Sequence, residues 1–174
     1  EPSERKLERL TESRLNLEPE LARLHLSFSL LCHECGKKAE AGLHARQSLD
    51  LTRRLSENFP YESKFKSILA ESLKQIGQRC YDAGQHREAA EHLREALSHY
   101  EQLSAHLGLA ANRREEAGCL SLLARTAKER GRLNEAAELY GREIAIREKL
   151  AHSADADRKA LGVSMNNLGH VLLE

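Results

Sequence analysis

Residues 73–97, LKQIGQRCYDAGQHREAAEHLREAL, carry the pattern of a helical hairpin. Large apolar residues recur every three or four positions on both sides of Gly84, which is the spacing of one face of an α-helix. Gly84 can adopt the positive φ that ends a helix, so the stretch predicts two antiparallel helices joined by a short turn. Gly77 and Ala89 are small enough for the two helix backbones to approach closely, and a Leu or Phe there would cost about 1–3 kcal/mol by overpacking.

The hairpin pattern repeats along the chain. Gly36 and Gly84 are 48 positions apart, and Gly84 and Gly131 are 47 apart. An alanine follows each glycine by five positions, at Ala41, Ala89 and Ala136, and a fourth copy begins at Leu168-Gly169. Because one helix pair cannot bury both of its faces, the repeats are expected to stack on one another.

Start and stop signals divide the array into repeats. Pro60 precedes the first helix of the second repeat, and Gly108 follows its second helix. The predicted repeats cover residues 21–59, 60–108 and 109–154, with a partial repeat at 155–174. Residues 1–20 are expected to form a preceding helix or an N-terminal cap. The predicted core stripes of the second repeat are Phe65, Leu69, Leu73, Ile76 and Cys80, and then Ala89, Leu93, Ala96, Leu97, Tyr100 and Leu103.

Composition limits the possible partners. The chain of 174 residues has 27 Lys and Arg against 27 Asp and Glu, so a basic nucleic-acid-binding surface is not indicated. It has no polybasic block, and no apolar run approaches the roughly 20 residues of a bilayer span. These features predict a cytoplasmic protein that neither binds nucleic acid nor inserts into a membrane.

Residues 73–97 resemble the tetratricopeptide repeat, whose pattern combines large residues with Gly and Ala at fixed offsets. The period of 45 to 48 residues resembles the long-helix variety found in kinesin light chains and in sensor arrays of signal-transduction NTPases. Residues 131–140, 145–150 and 164–169 are similar to that subgroup as well. Glu143 departs from the pattern where Ala is usual, and the first repeat has His25 at a large position and Ser29 in place of Gly.

The resemblance implies an all-α fold, a right-handed α-α superhelical solenoid of antiparallel helix pairs over residues 21–174. It also implies a scaffold that binds a peptide or protein segment on a concave face lined by the first helix of each pair. The residues expected on that face are Lys74, Gln75, Gln78 and Asp82, then Ser121, Leu122, Arg125 and Lys128, and finally Asn166, Asn167 and His170.

These side chains suit peptide recognition, because Asn and Gln amides pair with an extended backbone and Lys and Arg bind carboxylates. Asn166 and Asn167 match a motif that the long-repeat relatives use for peptide contact. Alternatively, the two asparagine amides are simply exposed to solvent or form hydrogen bonds within the array. For Lys74, Arg125 and Lys128, the alternative is that they lie on a solvated helix face and bind nothing. The other function considered is a regulatory, sensor or self-associating array that packs against other domains of a parent chain or forms a homo-oligomer.

The segment Cys32-His33-Glu34-Cys35 has the spacing of a redox or zinc motif. It falls at the end of a predicted helix, where the dipole disfavours a thiolate, and no second Cys-x-x-Cys is present. Cys32, Cys35, Cys80 and Cys119 are therefore predicted to be free, buried or semi-buried thiols, and no metal or cofactor is expected.

No catalytic constellation stands out in the sequence. His92, His99 and His106 are seven positions apart, which separates neighbours by about 10.5 Å along a helix, too far for one metal ion. They are predicted to form a partly exposed stripe beside the core. Residues 113–116, Arg-Arg-Glu-Glu, are predicted to form a charged helix start at the solvated surface. An enzyme is not indicated.

Overall fold

A computed structural model describes the backbone of residues 2–151 and 155–173, with side chains from Leu17 onward. Those residues form seven α-helices and no strand, which confirms the all-α prediction. The helices are α1 Pro2–Glu34, α2 Lys38–Asn58, α3 Ser63–Asp82, α4 His86–Leu107, α5 Ala110–Glu129, α6 Leu133–Leu150 and α7 Asp155–Leu172. α1 packs on α2, and in the C-terminal part of the chain α4 packs on α5, α5 on α6 and α6 on α7, as stacked hairpins require. No helix in the described residues is both long and apolar enough to cross a membrane.

The three repeat glycines close the hairpins as predicted. Gly36 and Gly84 have φ 76° and Gly131 has φ 70°, all in the left-handed region. After each glycine, the next N–H donates to a carbonyl five residues earlier, with N···O distances of 2.8 to 2.9 Å. These pairs are Lys37 with Cys32, Gln85 with Cys80, and Arg132 with Ala127. The bond satisfies a carbonyl that the helix end would otherwise leave without a partner.

The close helix approach predicted at Gly77 is confirmed. A Cβ atom on Gly77 would lie 2.6 Å from Leu93 Cγ and 3.4 Å from the Ala89 carbonyl oxygen. In the first hairpin, Ser29 stands at the corresponding place and is fully buried. Its hydroxyl donates to the Ala41 carbonyl at 2.7 Å, so a hydrogen bond joins α1 to α2 at the position where Gly77 allows close contact in the next hairpin.

The chain divides within α3 into two compact units, an N-terminal unit of residues 1–72 and a C-terminal unit of residues 73–174. In the N-terminal unit, the helix predicted for residues 1–20 continues without a break into the rest of α1. α1 packs on α2 through a face that includes Ala22 and Leu26, both buried. A second apolar stripe on α1 is exposed, and it consists of Leu17, Leu21, Leu24, Phe28 and Leu31.

The C-terminal unit has its core along α4 and between α5, α6 and α7. The predicted stripe of α4 is buried throughout, at Ala89, Leu93, Ala96, Leu97, Tyr100 and Leu103. A second cluster joins Ala124 and Ala127 of α5 to Ala136 and Tyr140 of α6 and Val171 of α7. Small residues on α5 and α6 thus allow the close packing that the repeat pattern predicts.

Candidate peptide-binding surface

Contacts within the C-terminal unit join each first helix of a pair to the first helix of the next pair. Lys74 of α3 forms an ion pair with Glu115 of α5. Arg114 of α5 donates to both carboxylate oxygens of Asp157 of α7, from Nε at 2.9 and 3.1 Å and from Nη2 at 2.7 Å. Residues 73–82 of α3, together with α5 and α7, therefore form one layer, here called the first-helix layer.

The second helices are joined to each other in the same way. Arg94 of α4 lies 2.8 Å from Glu135 of α6, and Arg142 of α6 lies 2.5 Å from Glu101 of α4. These two ion pairs connect α4 and α6, which form a separate layer, here called the second-helix layer. All the candidate binding residues lie on the first-helix layer, on α3, α5 and α7.

The charged segment at the start of α5 also forms ion pairs with neighbouring helices. Arg114 is exposed and Glu115 half-buried near the start of α5, as predicted for residues 113–116, and each in addition forms an ion pair with another helix. Their partners Lys74 and Asp157 lie about one repeat away in sequence, at the distance expected for stacked hairpins. The hydrogen bonds to Asp157 raise the pKa of the Arg114 guanidinium.

Arg125 is the most distinctive candidate of the layer. Its guanidinium carbon lies 4.5 Å above the centre of the Tyr81 ring, and the side chain is exposed. No carboxylate among the described residues forms an ion pair with it. A guanidinium stacked on a ring has lost part of its freedom to move while keeping its N–H donors available. Arg125 is thus held in place and open to an anionic ligand.

The α3 candidates are largely engaged within the protein. Gln78 donates to Asp82 at 2.7 Å, one turn further along the helix. Lys74 is half-buried and forms an ion pair with Glu115. Gln75 is half-buried and also has a partner. The structure therefore places these residues on the layer but leaves Asp82 as the most exposed of them.

The remaining α5 candidates and those on α7 differ in accessibility. Ser121, Leu122 and Lys128 are half-buried, and Lys128 already has a partner. On α7, Asn166 and His170 are exposed and Asn167 is half-buried. Within the described residues, the Asn166 and Asn167 side chains form no hydrogen bond, so both amides are available to a ligand.

Two features of this region were missed by reasoning from the sequence. The first is the contact between Tyr81 and Arg125, since nothing in the sequence alone singled out Tyr81. Their separation of 44 positions, close to one repeat, is the signal that could have paired them. The second feature is Glu143, which is buried on α6 and bonded to Ser164 of α7 at 2.6 Å.

Tyr140 lies beneath this surface and is buried. Burial, together with the nearby Glu143 carboxylate, raises the pKa of Tyr140 to about 12, and the positive charge of Arg125 only partly offsets this. Its hydroxyl therefore stays neutral at physiological pH and contributes no charge to the surface.

The cysteines are free thiols, as predicted, but not all are shielded. Cys119 is buried, Cys32 and Cys80 are half-buried, and Cys35 is exposed, so the prediction of a semi-buried thiol is wrong for Cys35. α1 ends at Glu34, which places Cys35 in the turn. Among the described residues, no three His, Cys, Asp or Glu side chains converge on a common point.

The histidines of α4 lie along one side of that helix. His92 and His99 are half-buried and His106 is exposed, which confirms the partly exposed stripe predicted for them. Their positions beside the buried Leu93 and Tyr100 show that they border the core without forming it.

Residues 117–151 match the protein-family model described as tetratricopeptide repeat. The matched segment covers most of α5 and all of α6, the hairpin closed by Gly131. No curated protein matches the chain. Repeats of this family generally mediate protein–protein interactions and typically act as non-catalytic scaffolds. The long-helix variety is not distinguished by this match and stays a prediction. The chain therefore contains a tetratricopeptide repeat over residues 117–151, which supports its assignment to the tetratricopeptide-repeat superfamily.

Proposed function

We propose that the C-terminal unit binds an extended, acidic segment of a protein partner on the first-helix layer, with Arg125 as the main anchor. The state of Arg125 carries this proposal: it is exposed, stacked on Tyr81, and has no ion-pair partner in the described part of the chain. A guanidinium in this state can form two parallel hydrogen bonds to a carboxylate with little loss of side-chain entropy.

Two other cations of the layer have a different role. Lys74 and Arg114 each have a carboxylate partner on a neighbouring first helix. They therefore hold the layer together, and their charges are already neutralised for a ligand. Arg125 has no such carboxylate partner among the described residues, so its charge stays available to a ligand.

The amides of α7 complement this charge. Asn166 and Asn167 carry both a donor and an acceptor and can bond to the backbone of an extended peptide. A peptide with an acidic side chain at Arg125 and its backbone along α7 would form an ion pair with the guanidinium and hydrogen bonds with the asparagine amides. Recognition would then depend on the position of one acidic residue and only weakly on the rest of the sequence.

A pair of designed peptides tests this function. The probe is a fluorescein-labelled peptide of about a dozen residues in which Asp alternates with Thr, and its counterpart has Lys in place of Asp. We expect the full chain to bind the Asp peptide and not the Lys peptide. Arg125→Ala should weaken binding about 10- to 100-fold, the loss expected for a charge-assisted hydrogen bond, measured by fluorescence anisotropy.

Arg94→Ala is the matched control, because it removes the same charge from the second-helix layer. Its affinity for the Asp peptide should stay within about twofold of wild type, since surface charges at this distance are largely screened. Equal losses in the two variants, or equal binding of the two peptides, would contradict the proposal. If neither peptide binds, sedimentation of the chain would test the alternative of a self-associating array.

A further inference from the structure

The junction between α6 and α7 has an acid where the preceding junction has small apolar side chains. Applying the repeat spacing, Glu143 of α6 corresponds to Ala96 of α4, and Ser164 of α7 corresponds to Cys119 of α5. All four side chains are buried, at 1% exposure or less. The same place in the repeat thus has a polar pair at one junction and an apolar pair at the other.

Glu143 is held by two hydrogen bonds to one of its oxygens. Its Oε1 accepts from Ser164 Oγ at 2.6 Å and from Arg147 Nε at 2.6 Å. Arg147 lies on the same helix, whereas Ser164 lies on the next, so the serine bond is the one that joins α6 to α7. A buried carboxylate needs such partners, because it has lost its hydration.

α7 contributes two residues to the apolar cluster, the buried Val171 and the half-buried Leu168. Its buried residues are Asp157, Ser164 and Val171, of which two are polar. Asp157 bonds to Arg114 near the start of the helix, and Val171 packs in the apolar cluster near its end. A hydrogen bond depends on direction more strongly than an apolar contact does, so the bond to Ser164 restricts how α7 can rotate or slide on α6.

We propose that Glu143 is a positioning residue: its hydrogen bond with Ser164 fixes the placement of α7 on α6 and thereby the direction of Asn166 and Asn167. These asparagines follow Ser164 within one helical turn, so a rotation of α7 at Ser164 moves their amides directly. The effect on ligand binding rests on the proposed function, whereas the placement of α7 does not.

Amide hydrogen exchange tests whether the bond holds α7. Ser164→Ala removes the hydroxyl, and we expect the amides of residues 160–171 to exchange roughly 10 to 100 times faster, with α5 unchanged. Thr126→Val is the matched control. Thr126 is also buried and donates to the carbonyl four residues earlier, as Ser164 can, but within the described part of the chain its hydroxyl bonds to no other helix. We expect amide exchange in α7 of the Thr126→Val variant to equal that of wild type.

A double variant distinguishes the effect of the bond on the orientation of α7 from its effect on the stability of α7 packing. Glu143→Ala/Ser164→Cys copies the apolar pair of the α4–α5 junction, so exchange in α7 should return to within a few-fold of wild type. The affinity for the Asp peptide should nevertheless stay reduced by threefold or more, because an apolar junction does not set the same rotation.

Two results would overturn the proposal. One is unchanged α7 exchange in Ser164→Ala, which would show that the bond does not hold the helix. The other is wild-type affinity in the double variant, which would show that packing alone sets the direction of the asparagines. If wild type itself does not bind the Asp peptide, the proposed function fails, while the exchange comparison still decides whether the bond holds α7.

Discussion

Two cysteines of this chain differ in burial, and we therefore expect their thiols to differ in reactivity toward alkylating reagents. Cys119 is fully buried on α5, and burial raises the pKa of its thiol to about 12, an effect that Lys74 only partly offsets. Cys35 is exposed in the turn after α1. Since the thiolate is the nucleophile, only about one Cys119 thiol in ten thousand is reactive near pH 8.

We therefore expect iodoacetamide to modify Cys35 long before Cys119 in the folded protein. Because the pKa of Cys119 is raised, its labelling should increase about tenfold for each pH unit between pH 8 and 10 while the fold persists. Mass spectrometry of the two peptides measures both rates. In concentrated guanidinium chloride the rates should converge, and similar rates in the native protein would contradict the assigned burial.

Individual residues also show where the sequence was sufficient and where it was not. Gly84 was predictable, because few residues other than glycine adopt a positive φ readily and its place in the repeat was clear. Glu143 was visible only as a departure from the pattern. Its role depends on Ser164, 21 positions away on the next helix, and the repeat pattern gives no rule for that pairing.

Among the elements, the α3–α4 hairpin depends on the absence of a side chain at Gly77. Gly77→Ala would improve helix propensity by about 1 kcal/mol but place a Cβ 2.6 Å from Leu93 Cγ. Overpacking of this kind costs about 1–3 kcal/mol, so the net effect should be a lower midpoint of guanidinium denaturation.

Gly118→Ala is the matched control for that substitution. Gly118 lies inside α5, and a Cβ there would meet nothing within 4 Å. Only the propensity gain remains, so the midpoint should rise, by up to about 1 kcal/mol in free energy. A Gly77→Ala variant as stable as Gly118→Ala would show that the two helices can separate at no cost.

Hairpins were the most predictable elements. Apolar spacing fixed the buried stripe of α4 from Ala89 to Leu103, and the glycines fixed the turns. The contacts between hairpins were not predictable in the same way. Polar pairs such as Arg114 with Asp157 join residues about one repeat apart, and a charged residue on a helix surface gives no sign of which neighbour it will meet.

For the whole molecule, the repeat period placed the candidate residues on α3, α5 and α7, but it did not rank them. The structure distinguishes them by their partners: Lys74 is paired with Glu115, whereas Arg125 is stacked on Tyr81 and open to solvent. The central claim of the proposed function is that ligands occupy the first-helix layer near Arg125 and Asn167.

The most direct measurement is a map of backbone amide chemical shifts of the full chain during titration with the Asp peptide. We predict that the largest changes fall in residues 78–82 of α3, around Arg125 in α5 and in residues 163–170 of α7, with little change in α4 and α6. Changes concentrated on α4 and α6, or on the exposed stripe of α1, would contradict the account.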